Sequence, residues 1–384
     1  MAKIGTRMRG MQQSSIRAMT ARCQELDAIN LAQGLCQVPP PPSLLVEGAR
    51  DFGKADHSYS PAEGLGVFRD AVADRLKRHS GLSVDPSTEV VTTIGATGGL
   101  LATLTALLDA GDGVLVFEPF YSYHLSALKV LNLRPEPVRL AAPTFEITEE
   151  GLRAAITDRT RAMIVCTPNN PSGRRFTEAE LMIVSAVAEE HDLLVISDEV
   201  YADIYFGSDP HLAPATVGGL GERTLTISSL SKSFSIPGWR LGYVCGPAPL
   251  MSMVRLAADA LVGCAATPLQ EFGARALRMG DDYYRDLRAT YDGKRRALAA
   301  GFTAAGLSPN EPEGAYYLLV DCSAMGVASG VEAAEVLLER TRIGTVPGEA
   351  FYLNPPERPY VRVCFSLSND VIAEVVTRLA NGVL

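Results

Sequence analysis

Apolar residues along the chain gather in short unbroken runs that end in polar residues. VLVFEP at 114–119, AMIVCTPNNP at 162–171, LLVISDEVY at 193–201, TLTISSLSK at 224–232 and LGYVCGP at 241–247 share this pattern. Runs of this length, rich in β-branched residues, predict strands buried on both faces. Between some of them lie stretches with helical spacing, such as TEAELMIVSAVAEEHD from Thr177. Thr177 with Glu180 three residues later forms a capping box, so a helix starts there. Strands alternating with helices predict an α/β fold with a mainly parallel sheet. Ligands of such sheets bind beyond the carboxyl ends of the strands. Glu118, Asn169, Asn170, Asp198, Tyr201 and Lys232 all fall there.

The last third follows another pattern. A charged segment at 281–305 has helical periodicity. Two alternating runs, AYYLLVDCS at 315–323 and YVRVCFS at 360–366, flank a helix-like stretch. This predicts a smaller α+β unit. The proline run Pro39 to Pro42 predicts an extended crossing between the two units.

Composition narrows the function. The 384 residues are 47 % hydrophobic and 21 % charged, which excludes disorder as the main state. A net charge of -9 gives no general attraction to nucleic acid or to an anionic membrane. The longest apolar stretch, around 100–108, is interrupted by Thr103 and Thr105 and is far short of the about 20 residues of a bilayer crossing. No signal-peptide core is present; Lys3, Arg7, Arg9, Arg17 and Arg22 before the first acid, Glu25, are faintly like a transit peptide, and an ordinary basic helix is the expected reading. The seven cysteines are odd in number and contain no Cys-x-x-Cys, which predicts buried thiols in a reducing, cytoplasmic setting. The five histidines form no local metal-ligand pair, so no metal is expected. Lys232-Ser233 fails as a phosphate-loop ending, because Ser231 stands where glycine is needed.

Lys232 is the most informative residue. It lies in SSLSKSFSIPGWRLGY, where an apolar strand gives way to small hydroxyl residues. A desolvated lysine with cationic neighbours has a lowered pKa, and its neutral amine can form a Schiff base. Ser229 and Arg240 nearby suit a phosphate. Together they suggest a phosphorylated aldehyde such as pyridoxal 5'-phosphate, although a lone lysine is more often a surface charge. That cofactor withdraws electrons when its ring nitrogen is protonated, which an acid must enforce. Asp198, ending LLVISD, is placed for it. A carboxylate about 4 Å from a cationic nitrogen contributes about 4 kcal/mol at an effective dielectric of 20.

Tyr201 and Asn170 suit the ring oxygen, though NPSG after Asn169 reads equally as a turn. GATGGL opens an apolar helix whose N–H groups at Ala96 and Thr97 would attract the phosphate. Tyr121 in EPFYSY would stack on the ring. A helix cap and a core aromatic are the plainer alternatives for those two.

These residues resemble the class I/II aminotransferases, the fold-type I pyridoxal-phosphate enzymes. The blocks YSPAEGLGVFRDAV, GATGGL, EPFYSY, TPNNPSG, SDEVY, SLSK and GWRLGY stand in register over nearly the whole chain. The resemblance implies a large domain over 46–284, with a mainly parallel seven-stranded sheet, and a small α+β domain from 1–45 and 285–384. It implies that Lys232 holds the cofactor and moves the substrate α-proton. Asp198 would pair with the ring nitrogen, Tyr201 and Asn170 with the ring oxygen. Ala96, Thr97, Ser229 and Arg240 would hold the phosphate, and Tyr121 would stack. Arg362 would bind the substrate α-carboxylate, assisted by Asn170 and the Gly34 backbone; alone, Arg362 reads as an edge-strand charge. Tyr59 would reach the partner's phosphate in a homodimer.

Departures from the family pattern bear on substrate. No lysine stands at Thr97, which weakens a dicarboxylic substrate. The EPF-aromatic block and the proline run look most like the kynurenine and glutamine branch. Neutral, aromatic or sulfur-containing amino acids are therefore expected, with a 2-oxo acid as acceptor. Glu349 in PGEAFY, where serine is common, would put an acid near the site. Rival outcomes on this scaffold are β-elimination, ring-closing synthesis and oxidation. A non-catalytic regulator is disfavoured, because about 30 residues before INLAQG are too few for a DNA-binding domain.

Overall fold

The computed structural model describes residues 13–34 and 36–382. Lys3, Arg7 and Arg9 lie outside the described residues, whereas Arg17 and Arg22 fall on the helix Ser15–Glu25. In chain order the strands are β1 (Ile29–Asn30), β2 (Val90–Ile94), β3 (Gly113–Glu118), β4 (Arg134–Arg139), β5 (Thr160–Cys166), β6 (Leu194–Asp198) and β7 (Thr224–Ser229). They continue with β8 (Leu241–Cys245), β9 (Ser308–Pro309), β10 (Tyr317–Asp321), β11 (Ile343–Gly344), β12 (Val346–Pro347) and β13 (Tyr360–Cys364).

β2 to β8 form one seven-stranded sheet in the order β2-β8-β7-β6-β5-β3-β4. Within it β8 runs against its neighbours, and the strands from β7 across to β4 are parallel. LGYVCGP is thus a reversed strand inside an otherwise parallel sheet. β3, β7 and β8 are buried at every residue, as their continuous apolar runs require. Alternate side chains go to opposite faces. Val114 and Val116 join Leu104, Ile164 and Val244 on one side, while Leu115 and Phe117 join Met163, Val165 and Leu181 on the other. Each such side chain contributes about 1.5–3 kcal/mol on burial. The helix Glu178–Glu190 starts at Thr177 with the full capping box.

Two strands of this sheet, β2 and β4, fall outside the five runs read as strands. β4 is RPEPVR, and two prolines ordinarily argue against a strand. It is tolerated because β4 is the sheet edge and pairs only with β3.

The second sheet, β12-β13-β10-β9, lies in the C-terminal third, and β1 pairs in parallel with β11 through Ile29–Ile343 and Asn30–Gly344. Ile16, Met19 and Leu31 share one core with Leu298, Phe302, Leu318, Val361 and Leu379, so both ends of the chain build it. The proline run is not extended throughout: Pro42 opens the helix Pro42–Asp51, where a missing N–H costs nothing. No helix among the described residues is long and apolar enough to cross a membrane.

Candidate active site

Strand ends converge on a cavity of about 330 Å³. β6 delivers Asp198, β7 delivers Ser229, and the one-turn helix Leu230–Ser233 carries Lys232. Ala96, Thr97, Tyr121, Asn170, Tyr201 and Arg240 also line it. A second cavity, lined by Lys232, Gly34, Tyr201 and Arg362 among others, adjoins it. Tyr59 lines neither and is 90 % exposed.

Lys232 stands at the wall between the two cavities, its Nζ 5.4 Å from the Tyr316 ring centre. Burial pushes its amine below the ordinary lysine value; Cys36 and Cys364 oppose this, and Arg240 and Arg362 add to it. A lowered pKa makes the neutral, nucleophilic amine more available. The helix turn bearing it is pinned from behind. Ser233 Oγ donates to Asp203 Oδ2 at 2.6 Å, and Asp203 is ion-paired with the buried Arg75.

The anion cradle is built from backbone as much as from charge. The helix Gly95–Leu107 has no side-chain cap, so first-turn N–H groups near Ala96 and Thr97 stay open. Gly95 has φ +63°, and a Cβ there would come within 2.5 Å of Arg240 Nη2. Only glycine lets the guanidinium lie against the helix start. Ser229 Oγ accepts from the Ser231 N–H at 3.3 Å, which leaves its own hydrogen to donate to an anion.

Asp198 is held by a residue that the sequence reading did not assign. His124 Nε2 donates to Asp198 Oδ2 at 2.8 Å, and both residues are buried. The available signal was its position three residues after Tyr121 in EPFYSYH, one helical turn along the same face. Tyr121 meets the His124 ring edge-on at 5.4 Å and stacks on Tyr123 at 5.3 Å. Tyr201 donates to the Tyr317 hydroxyl at 3.2 Å. Burial pushes the Tyr121 and Tyr201 phenols up, so both remain protonated donors at neutral pH.

Arg362 is fully buried. It is not an edge charge: it pairs with Leu319 of β10 on one side and Val346 of β12 on the other. Its Nη1 donates to Asn170 Oδ1 at 3.0 Å and its Nη2 to the Ala32 carbonyl. The guanidinium lies 4.2 Å from the Tyr317 ring centre, and its Nε has no partner. A buried cation with an orphaned N–H on a cavity wall is suited to a carboxylate. Gly34 is needed where it stands, because a Cβ would come within 2.5 Å of the Tyr317 hydroxyl.

Glu349 is not in the site. Its Oε1 accepts from the Gly330 N–H at 2.8 Å, at the start of the helix Gly330–Thr341, where a negative charge meets the positive end of the helix.

The residues present fit pyridoxal phosphate. An open helix start beside Arg240 suits the phosphate, an oriented carboxylate suits a protonated ring nitrogen, and a lysine with lowered pKa suits the aldehyde.

Comparison with known proteins gives the same reading. The family model "Aminotransferase class I and II" matches residues 27–379. A probable N-succinyldiaminopimelate aminotransferase of Mycobacterium tuberculosis is 32 % identical over 387 residues, covering 98 % of this chain and 97 % of that one. The methionine aminotransferase of Escherichia coli is 30 % identical over 361 residues, 94 % of each chain. Among solved structures, the M. tuberculosis N-succinyldiaminopimelate aminotransferase superposes with a TM-score of 0.94 at 33 % identity over 99 % of both chains. An aspartate aminotransferase of Thermus thermophilus gives 0.92 at 30 % over 100 % of both.

Proposed function

The chain belongs to the class I and II aminotransferases, and from that premise we propose how its residues divide the work of a pyridoxal-phosphate-dependent transamination. The observation that carries the assignment is the placement of Lys232, Asp198 and Arg240 around one cavity, with the buried Arg362 lining its neighbour.

When bound, pyridoxal phosphate supplies the electron sink that lets the α-C–H of an amino acid ionise. Ala96, Thr97, Ser229 and Arg240 would hold the phosphate. Asp198, oriented by His124, would keep the ring nitrogen protonated. Tyr201, its O–H turned from Tyr317, and Asn170 would contact the ring oxygen, and Tyr121 would stack on the ring. Arg362 holds the substrate α-carboxylate with Asn170 and the Gly34 backbone beside it. This would orient the α-C–H toward Lys232, whose Nζ would take the α-proton and deliver it to a different carbon, the one that carried the cofactor's aldehyde. Proximity replaces a bimolecular encounter for that transfer.

The substrate is an L-amino acid with a neutral, aromatic or sulfur-containing side chain, exchanged against a 2-oxo acid. The walls formed by Tyr121, Tyr123, Tyr201 and Tyr317 support this, as does the similar protein named for methionine. The large domain is 46–284, and 1–45 with 285–384 form the small one; the core shared by both ends supports the division. The enzyme is a cytoplasmic homodimer in which Tyr59 serves the partner's phosphate. The exposed Leu45, Val46, Phe52 and Tyr59 support that interface, and the unpaired thiols fit a reducing compartment.

The test is borohydride reduction of the cofactor-loaded protein followed by peptide mapping, with product analysis on a panel of amino acids and an excess 2-oxo acid. An adduct at Lys232, absent in Lys232→Ala, and a new amino acid made from the oxo acid are expected. Ammonia release with no new amino acid would overturn transamination in favour of elimination.

A further inference from the structure

We propose that Glu118 is a positioning residue for substrate binding: it clasps the segment around Phe351 to the end of β3 and so fixes where Arg362 stands relative to the cofactor ring. The inference rests on the transamination reading, which gives Arg362 the α-carboxylate. It assigns a task to a strand-end acid that this reading leaves without one.

Glu118 ends β3 and is buried. A buried carboxylate needs a partner for each oxygen, and here the two come from different sheets. Oε2 pairs with Arg139 Nε at 3.2 Å, and Arg139 is its register partner on β4. Oε1 accepts from the Leu353 N–H. Leu353 lies between β12 and β13, two strands of the second sheet. One acid therefore ties the seven-stranded sheet to the four-stranded one.

The tie is reinforced around it. The Phe120 N–H donates to the Phe351 carbonyl at 3.0 Å. Arg139 Nη2 donates to the Asn354 carbonyl at 3.2 Å, and its guanidinium lies 5.0 Å from the Tyr352 ring centre. Two residues before Phe351, Glu349 holds the same segment to the start of the helix Gly330–Thr341. Phe351 is thus fastened on both sides in sequence. Its ring is fully buried, with its centre 5.0 Å from the Arg362 guanidinium.

The clasp joins two walls of the site. Tyr121, assigned to the cofactor ring, directly follows the Phe120 that holds Phe351. Phe351 packs against Arg362, assigned to the carboxylate. A substrate must span these walls, with its α-carbon at the cofactor and its carboxylate at Arg362. A misplacement of about 1 Å in such a span can cost about a hundredfold in rate. An exposed ion pair would not hold it, but a desolvated one is strong only in its own geometry.

The test compares Glu118→Ala, Glu118→Gln, Arg139→Met, Phe351→Leu and the double variant Glu118→Ala/Phe351→Leu with the parent. Titration of each holoenzyme with 3-phenylpropionate, a carboxylate without an amino group, reads the Arg362 wall without turnover. Michaelis constants for methionine and phenylalanine, cofactor affinity and melting temperature are measured alongside. Glu118→Ala should weaken 3-phenylpropionate and raise both Michaelis constants about tenfold, with cofactor affinity within about twofold. Glu118→Gln, which keeps an acceptor for the Leu353 N–H, should recover most of the loss. Arg139→Met, at a half-exposed position, should shift the titration the same way by a smaller factor, and it decides the matter if Glu118→Ala does not fold. If Glu118 acts through Phe351, the double variant binds 3-phenylpropionate no worse than Phe351→Leu alone. Additive losses, or a lowered melting temperature with unchanged 3-phenylpropionate affinity, overturn the proposal. A parent enzyme that turns over no amino acid overturns the transamination reading instead, and the titration still decides for or against Glu118.

Discussion

His124 and Asp198 share a 2.8 Å hydrogen bond at the floor of the cavity, Nε2 to Oδ2, with both side chains buried. A carboxylate accepts only, so the imidazole Nε2 carries the hydrogen. That bond uses one carboxylate oxygen and fixes the direction of the other. His124→Leu should weaken pyridoxal phosphate binding roughly tenfold to a hundredfold, the worth of a hydrogen bond to a charged group. His124→Asn, which keeps a donor, should recover much of it. Fluorescence titration of the cofactor-free protein reads both variants, and an unchanged affinity in His124→Leu would remove its positioning role.

Arg362 offers a different readout. Arg362→Ala should lower kcat/KM for every amino acid, because removing one partner of a buried pair costs about 3–5 kcal/mol. Cofactor binding should be unaffected, since Arg362 faces the adjoining cavity. An effect confined to one substrate would reassign Arg362 to reading side chains.

Gly95→Ala tests the anion cradle. The position has φ +63°, which costs an L-residue about 1–2 kcal/mol, and the new Cβ would displace the Arg240 guanidinium. The variant should lose affinity for pyridoxal phosphate while keeping that for pyridoxal. If both fall alike, Arg240 is not the phosphate partner.

Acid stability follows from the cluster behind Lys232. Burial pushes the His79 imidazole below its ordinary pKa; Asp203 opposes this, while Arg75 and His211 add to it. His79 Nε2 donates to the Ala202 carbonyl at 3.2 Å, as a neutral ring does. The unfolded chain takes up a proton below about pH 6.5, before the folded one does. The stabilisation is therefore full above about pH 6.5 and is lost as pH falls below it. Burial would raise Asp203, but Arg75, His79 and Ser233 outweigh it, so its share is lost only below about pH 4. Melting temperature should decline from pH 7 to 5, and His79→Gln should flatten that slope. An unaltered slope in the variant contradicts the assignment.

Much of the site was legible because strand ends carry polar residues for a reason. Asp198, Ser229 and Lys232 each follow an apolar run that could only be a buried strand, and the run's end fixes where they lie. Arg362 was not legible from its own neighbours. YVRVC shows a charge within a strand, and whether that charge is buried depends on β12 covering it, a pairing between segments 16 residues apart in register. His124 sits on a helix whose periodicity says which face is apolar, not which cavity another part of the chain builds opposite. β4 was hidden by its prolines, which only an edge position allows.

The pairing of β1 with β11, and of Arg362 with the Ala32 carbonyl, has a consequence for synthesis. The ribosome makes Lys232 about 130 residues before Arg362. At about 5–20 residues per second, roughly 6–26 s separate them. Throughout that interval both Lys232 and the segment around residues 29–34 lack C-terminal neighbours, among them Tyr316, Ile343 and Arg362. The guanidinium that meets the Ala32 carbonyl and Asn170 is thus among the last groups the polypeptide acquires, and a product cut short before residue 360 would lack it.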